Sequence, residues 1–190
     1  RGGAVNVIVA VDGQLITNTL VMPPTVSNGM IVADIERDIL KIAVVNRYRP
    51  AAVSVGLIKN FGLQRGAIAG SVAHDSHNVL AVGASDAEIA RAVNLVMAQQ
   101  GGLAVVAGDE LQMVLPLPVA GLMSADDGWS VAQRYTSLLE VTRQLGTTLG
   151  SPFMTLSFMA LLVIPKLKLS DLGLFDGEKF ALIPLQEVGK

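Results

Sequence analysis

The chain has 190 residues, 51% hydrophobic and 16% charged, with 14 basic against 16 acidic side chains, two histidines and no cysteine. A balance so near neutral, without a run of either sign, leaves no electrostatic footprint for nucleic acid or an anionic membrane. The missing cysteines exclude disulfides, thiolate metal sites and cysteine nucleophiles. The length suits one domain with a substantial core. The charged fraction lies below the roughly 25% of ordinary soluble domains, so part of the surface is expected to meet another chain or domain.

Residues 4–22, AVNVIVAVDGQLITNTLVM, set two β-rich runs around Asp12-Gly13, a dipeptide suited to the positive φ of a tight turn, and predict a β-hairpin. A connection through Pro23, Pro24, Ser27, Asn28 and Gly29 leads to ILKIAVVN at 39–46, whose β-branched content predicts a strand. Short apolar runs between glycines predict further strands near 52–59, 67–73 and 79–83, which puts the polar stretch His74–Asn78 at a turn. From Ser85, SDAEIARAVNLVMAQQGG has capping-box spacing to Glu88, then Ile89, Val93, Val96 and Met97 along one face, and Gly101-Gly102 as a stop.

LAVVAG and LQMVLPL read as two strands paired through Gly108-Asp109. A second helix is expected over 126–145, with Ser124 as cap, Asp126 and Asp127 in the first turn, and Val131, Tyr135, Leu138, Leu139 and Thr142 on its buried face. Pro152 opens a third helix through FMTLSFMALLVI, which Pro165 ends. That apolar run is shorter than the roughly 20 residues needed to span a bilayer. The tail KFALIPLQ is strand-like. The order of elements predicts one α+β domain, a largely antiparallel sheet with helices packed against it. The opening RGGAVNVIVA has neither an initiator methionine nor a signal-peptide pattern, and the chain reads as a piece of a longer protein.

Both histidines fall in SVAHDSHN, at 71–78. His74 and His77 lie three apart in a strand-and-turn context, where side chains need not converge on a metal. No H-E-x-x-H or His-x-His pattern supplies further ligands, so no metal site is expected within this chain. Ser76 sits in no G-x-S-x-G elbow, and triads usually join residues distant in sequence. The glycine stretches lack both the Walker and the G-x-G-x-x-G spacing. From the residues alone, Asp75, Ser76 and Asn78 read as turn formers and the histidines as hydrogen-bonded bystanders.

Longer segments carry more. GLIKNFGLQRGAIAGSVAHDSHNVLAVG, GGLAVVAGDELQMVLPLPVAGLMS and PFMTLSFMALLVIPKLKLSDLGLFD, in that order, resemble the C-terminal domain of bacterial and archaeal adenine deaminases over nearly the whole chain. NRYRPAAVSVG at 46–56 departs from the family pattern, whereas GSVAHDSHN follows it closely. The resemblance implies a parent of the amidohydrolase superfamily that hydrolyses adenine to hypoxanthine and ammonia in purine salvage. The reaction would use a divalent metal, manganese or iron, in a preceding barrel of the same polypeptide; this chain would carry no cofactor and be inactive alone.

On that basis His74, Asp75, Ser76, His77 and Asn78 form a candidate loop facing the barrel's active site. It would help to close the mouth or hydrogen-bond the purine or the water held by the metal, or else brace the contact between domains. The barrel and adenine are then the expected partners, with a homo-oligomer compatible, no nucleic acid or membrane, and a cytoplasmic setting. Two other functions stay open: a noncatalytic assembly or oligomerisation module, suggested by the surplus hydrophobicity, and an independent small-molecule binding domain.

Overall fold

A nearly continuous apolar run builds β1 (Val5–Ala10), which pairs antiparallel with β2 (Thr17–Met22) from Val5↔Met22 to Ala10↔Thr17 in the computed structural model, where residues 3–186 are described. The expected hairpin is present, but its loop spans 11–16. Asp12-Gly13 is one bend within that loop, with Gly13 at φ +68°. The connection that follows holds a second, minute hairpin, β3 (Val26–Ser27) and β4 (Met30–Ile31). Asn28 and Gly29 both take positive φ there, the signature of a two-residue turn.

Next come β5 (Ile39–Val45), β6 (Ser54–Lys59), β7 (Ala67–Gly70) and β8 (Val79–Gly83), then helix α1 (Asp86–Ala98), β9 (Gly102–Ala107) and β10 (Leu111–Pro116). Together with the first hairpin they form one eight-stranded sheet, in the order β10-β9-β7-β8-β5-β6-β1-β2. Every neighbouring pair is antiparallel except β1 with β6, as an α+β domain with a largely antiparallel sheet requires. β7 is shorter than the strand expected over 67–73. Ser71 leaves the ladder to accept from the Gly102 amide (2.8 Å) and donate to the Gly121 carbonyl (2.6 Å).

The two faces of the sheet differ in side-chain size. Ala43, Ala67, Ala69, Ala81 and Ala104 face α1, whose Ile89, Ala92, Val93 and Val96 bury against them. A Cβ on Gly83 would lie 2.6 Å from the Ala67 Cβ and 2.8 Å from the Ile89 side chain, so this approach tolerates nothing larger than glycine there. Ser85 caps α1 by accepting from the Glu88 amide, as the spacing predicts. Met97, expected on the buried face, is instead half exposed. The opposite face carries Ile42, Val44, Ile58, Ile68, Leu80 and Val105.

Helices α2 (Gly128–Gln144) and α3 (Pro152–Ser157) cover that larger face, with a small antiparallel sheet of β11 (Leu167–Ser170), β12 (Gly173–Asp176) and β13 (Ala181–Ile183). Two helix expectations are corrected. Asp127, not Ser124, caps α2, because its carboxylate accepts from the amides of Trp129 and Ser130. The third helix does not run on to Ile164. Carbonyls at and just beyond its end accept from outside: Ser157 O from the His74 amide (2.8 Å), Phe158 O from Lys168 Nζ (3.0 Å) and Met159 O from the Leu169 amide (3.0 Å). With those acceptors occupied, the chain turns instead of propagating.

β11 and β12 were not anticipated. The expected strand in KFALIPLQ is β13, with Gln186 bridging to Val5 beyond it. Among the described residues no helix is long and apolar enough to cross a membrane.

Candidate functional site

The loop joining β7 to β8 stands at the end of the sheet where the loop after β5 and the last turn of α3 also arrive. His74 and His77 are half buried, Asp75 and Ser76 exposed, and Asn78 buried at 2% exposure. The loop therefore presents its polar residues unequally. Asn78 faces inward, its Oδ1 accepting from the Arg47 amide (3.3 Å) and its Nδ2 donating to Ser76 Oγ (3.3 Å).

Aromatic contact orders the histidines. The His74 ring stacks on Phe158 with centroids 4.8 Å apart and 21° between planes, and His77 meets it edge-on at 5.4 Å. His77 takes a left-handed φ of 52°, and its Nδ1 accepts from the Ala73 amide (3.2 Å). That bond leaves Nε2 with the ring proton, a donor pointing away from its own backbone. Burial pushes the His77 pKa below 6.5, helped by the neighbouring His74 and Arg47 and opposed by Asp75. The ring is thus held neutral near pH 7, beside the exposed carboxylate of Asp75.

The loop after β5 supplies residues that were not among the candidate site residues. The Tyr48 hydroxyl donates to the Ser76 carbonyl (2.7 Å), and the Arg47 guanidinium bonds the Ala120 carbonyl (2.7 Å) while lying 5.0 Å from the Tyr48 ring centre. Asn46 Oδ1 accepts from the amides of Tyr48 and Arg49, and its Nδ2 donates to Asp171 on the β11–β12 turn (2.9 Å). NRYRP at 46–50 is therefore the wall against which the candidate loop rests. The Arg-Tyr pair directly after an apolar strand was the available signal. Phe158 gave none, because it lay inside an apolar run.

Among the described residues no three histidine, aspartate or glutamate side chains gather, and the Nδ1 lone pair of His77 is already engaged. A catalytic metal usually takes three protein ligands. What the loop offers is an exposed carboxylate acceptor and an N–H donor on a stacked aromatic base. Two further hollows flank α1. One, about 330 Å³, is lined by Arg47, Tyr48, Ser71, Met97 and Gln100. The other, about 320 Å³ and mostly apolar, lies between α1 and strands β5 and β6, with Val53, Val55 and Met97 on its rim.

Comparison with known proteins agrees with the resemblance. Residues 14–181 match the adenine deaminase C-terminal domain family. Adenine deaminase of Methanosarcina mazei is 54% identical over 181 residues, 95% of this chain and 32% of that protein. The Salinibacter ruber enzyme of the same name is 53% identical, over 96% of this chain and 33% of its own length. That of Parabacteroides distasonis is 45% identical, over 97% and 34%. The chain spans about a third of the length of the curated relatives it matches. It belongs to the adenine deaminase C-terminal domain family.

Proposed function

We propose that this chain is the C-terminal domain of an adenine-deaminating hydrolase, and that its β7–β8 loop completes the active site of a preceding amidohydrolase barrel. The observation that carries the reading is the presence on one loop of the exposed Asp75 carboxylate and the neutral His77 imidazole, whose Nδ1 is engaged by the Ala73 amide and whose Nε2 carries the ring proton. An aminopurine edge presents an exocyclic N–H donor and ring-nitrogen acceptors, to which these groups are complementary. The metal that activates water, manganese or iron, belongs in this reading to the barrel. The domain's contribution is to orient the purine and exclude water from the mouth. Purine salvage in the cytoplasm is the setting that follows.

A second reading, domain assembly, is favoured by the apolar hollow beside α1, whose rim residues Val53, Val55 and Met97 are about half exposed. The two are compatible. Ammonia release from adenine in added manganese tests the proposal, with this chain alone and mixed with the separately expressed remainder of its parent. The expected result is silence alone and activity on mixing. Activity of the chain alone, or silence in both, would contradict it.

A further inference from the structure

We propose that Lys168 is a positioning residue for the candidate loop: its ammonium, bound to the carbonyls of Leu15 and Phe158, fixes the end of α3 and with it the aromatic ring on which His74 stacks. The proposal rests on the reading of the β7–β8 loop given above and adds to it the part that holds the loop in place.

Lys168 is fully buried on β11, a position where an apolar side chain would ordinarily stand. Among the described residues no carboxylate pairs with it. Its Nζ instead donates to Leu15 O (2.6 Å), in the loop of the first hairpin, and to Phe158 O (3.0 Å). Burial without a countercharge pushes its pKa down to about 8. An ion so costly to bury points to a task that an apolar residue could not perform.

That task is legible in what its two acceptors hold. Leu15 lies two residues before Thr17, whose hydroxyl accepts from the amides of Lys166 and Leu167 and donates to the Leu167 carbonyl, so the hairpin loop is fastened to the start of β11. Phe158 is the residue after α3, next to Ser157, whose carbonyl accepts from the His74 amide. One ammonium therefore ties the hairpin, β11 and the α3 terminus together. The last of these touches His74 twice, through the backbone at Ser157 and through the ring at Phe158. Asp75 and His77 follow directly in the chain.

Because the chain contains two histidines, its imidazole NMR signals report the loop without interference. The experiment compares the chain with Lys168→Met, Lys168→Arg and Phe158→Leu, taking the methyl signals of Ile89 and Val93 on α1 as the folded reference. In Lys168→Met the His74 signal should lose the ring-current displacement imposed by Phe158, moving as it does in Phe158→Leu. The α1 methyls should stay in place, and Lys168→Arg should restore part of the displacement. His74 signals unmoved in a folded Lys168→Met chain would overturn the proposal, as would α1 methyls that shift equally. Should Lys168→Met fail to fold, Lys168→Gln replaces it under the same criteria. Deamination is not read, so this result stands apart from the assignment of the loop to an active site.

Discussion

Two polar turns cap opposite ends of neighbouring strands, and they are built differently. At residues 108–110, between β9 and β10, the polar groups are turned back onto the domain. Arg91 bonds the Gly108 carbonyl and pairs with Asp109 at 3.5 Å, and Glu88 accepts from the Gly108 amide. At 71–78, between β7 and β8, the backbone is held by Tyr48, Ser157 and Ala73, while the carboxylate of Asp75 and the Nε2 edge of His77 have no such attachment among the described residues. Polarity alone does not separate the two turns. The difference lies in the acidic side chain each turn carries: Asp109 is paired with Arg91, whereas among the described residues no cation pairs with Asp75, which leaves its carboxylate for another molecule.

The comparison is tested most severely where the loop is anchored. Phe158→Ala removes the base under His74 and should cost about 2–3 kcal/mol of unfolding free energy, below the roughly 3–5 kcal/mol of a fully buried phenylalanine because the ring is only partly buried. Ser71→Ala leaves the Gly102 amide and the Gly121 carbonyl without their buried partner, for about 1–3 kcal/mol. At the other turn, Arg91→Ala should cost no more than about 1 kcal/mol, since its pair with Asp109 is solvent-exposed. Chemical denaturation of the three variants checks the order, and an Arg91 loss as large as that of Phe158 would erase the distinction.

Smaller effects concern protons. Because His77 titrates below 6.5 in the folded chain, the unfolded chain binds more protons just under that pH, and stability falls as pH drops through it. His77→Gln should flatten that slope. Lys168 acts at the alkaline end: between about 8 and 10.5 the unfolded chain keeps a proton that the folded one has released, so stability rises with pH across that window. Lys168→Met should abolish the rise, and an unchanged alkaline profile would place the ammonium in solvent.

The turn's position was legible because strands at 67–70 and 79–83 flank it with uninterrupted apolar residues. The capping box of α1 was legible for the same local reason, as was the pairing of β9 with β10. What failed was decided by distant parts of the chain. α3 stops after six residues where His74, Lys168 and Leu169 bond the carbonyls of Ser157 and the two residues after it, which no helical periodicity reveals. β11 and β12 are four residues each and are defined by pairing with one another across Asp171-Leu172 and, for β12, with β13. The cap of α2 moved by three residues because an aspartate stood closer to the first free amides than the serine did. In the site, the five loop residues were named together, but their supports, Arg47, Tyr48 and Phe158, come from two other parts of the chain.

The central claim is that the open turn serves the reaction and the closed one does not. Its most direct measurement is kcat/KM for adenine in the full-length enzyme carrying Asp75→Ala, His77→Ala or, as the contrast, Asp109→Ala. A hydrogen bond to a charged or reacting group is worth about 1.5–3 kcal/mol, so the first two substitutions should each lower kcat/KM by roughly 10- to 100-fold. Asp109→Ala should leave it unchanged. Constants equal to wild type for Asp75→Ala and His77→Ala would contradict the account and leave the loop a brace between domains.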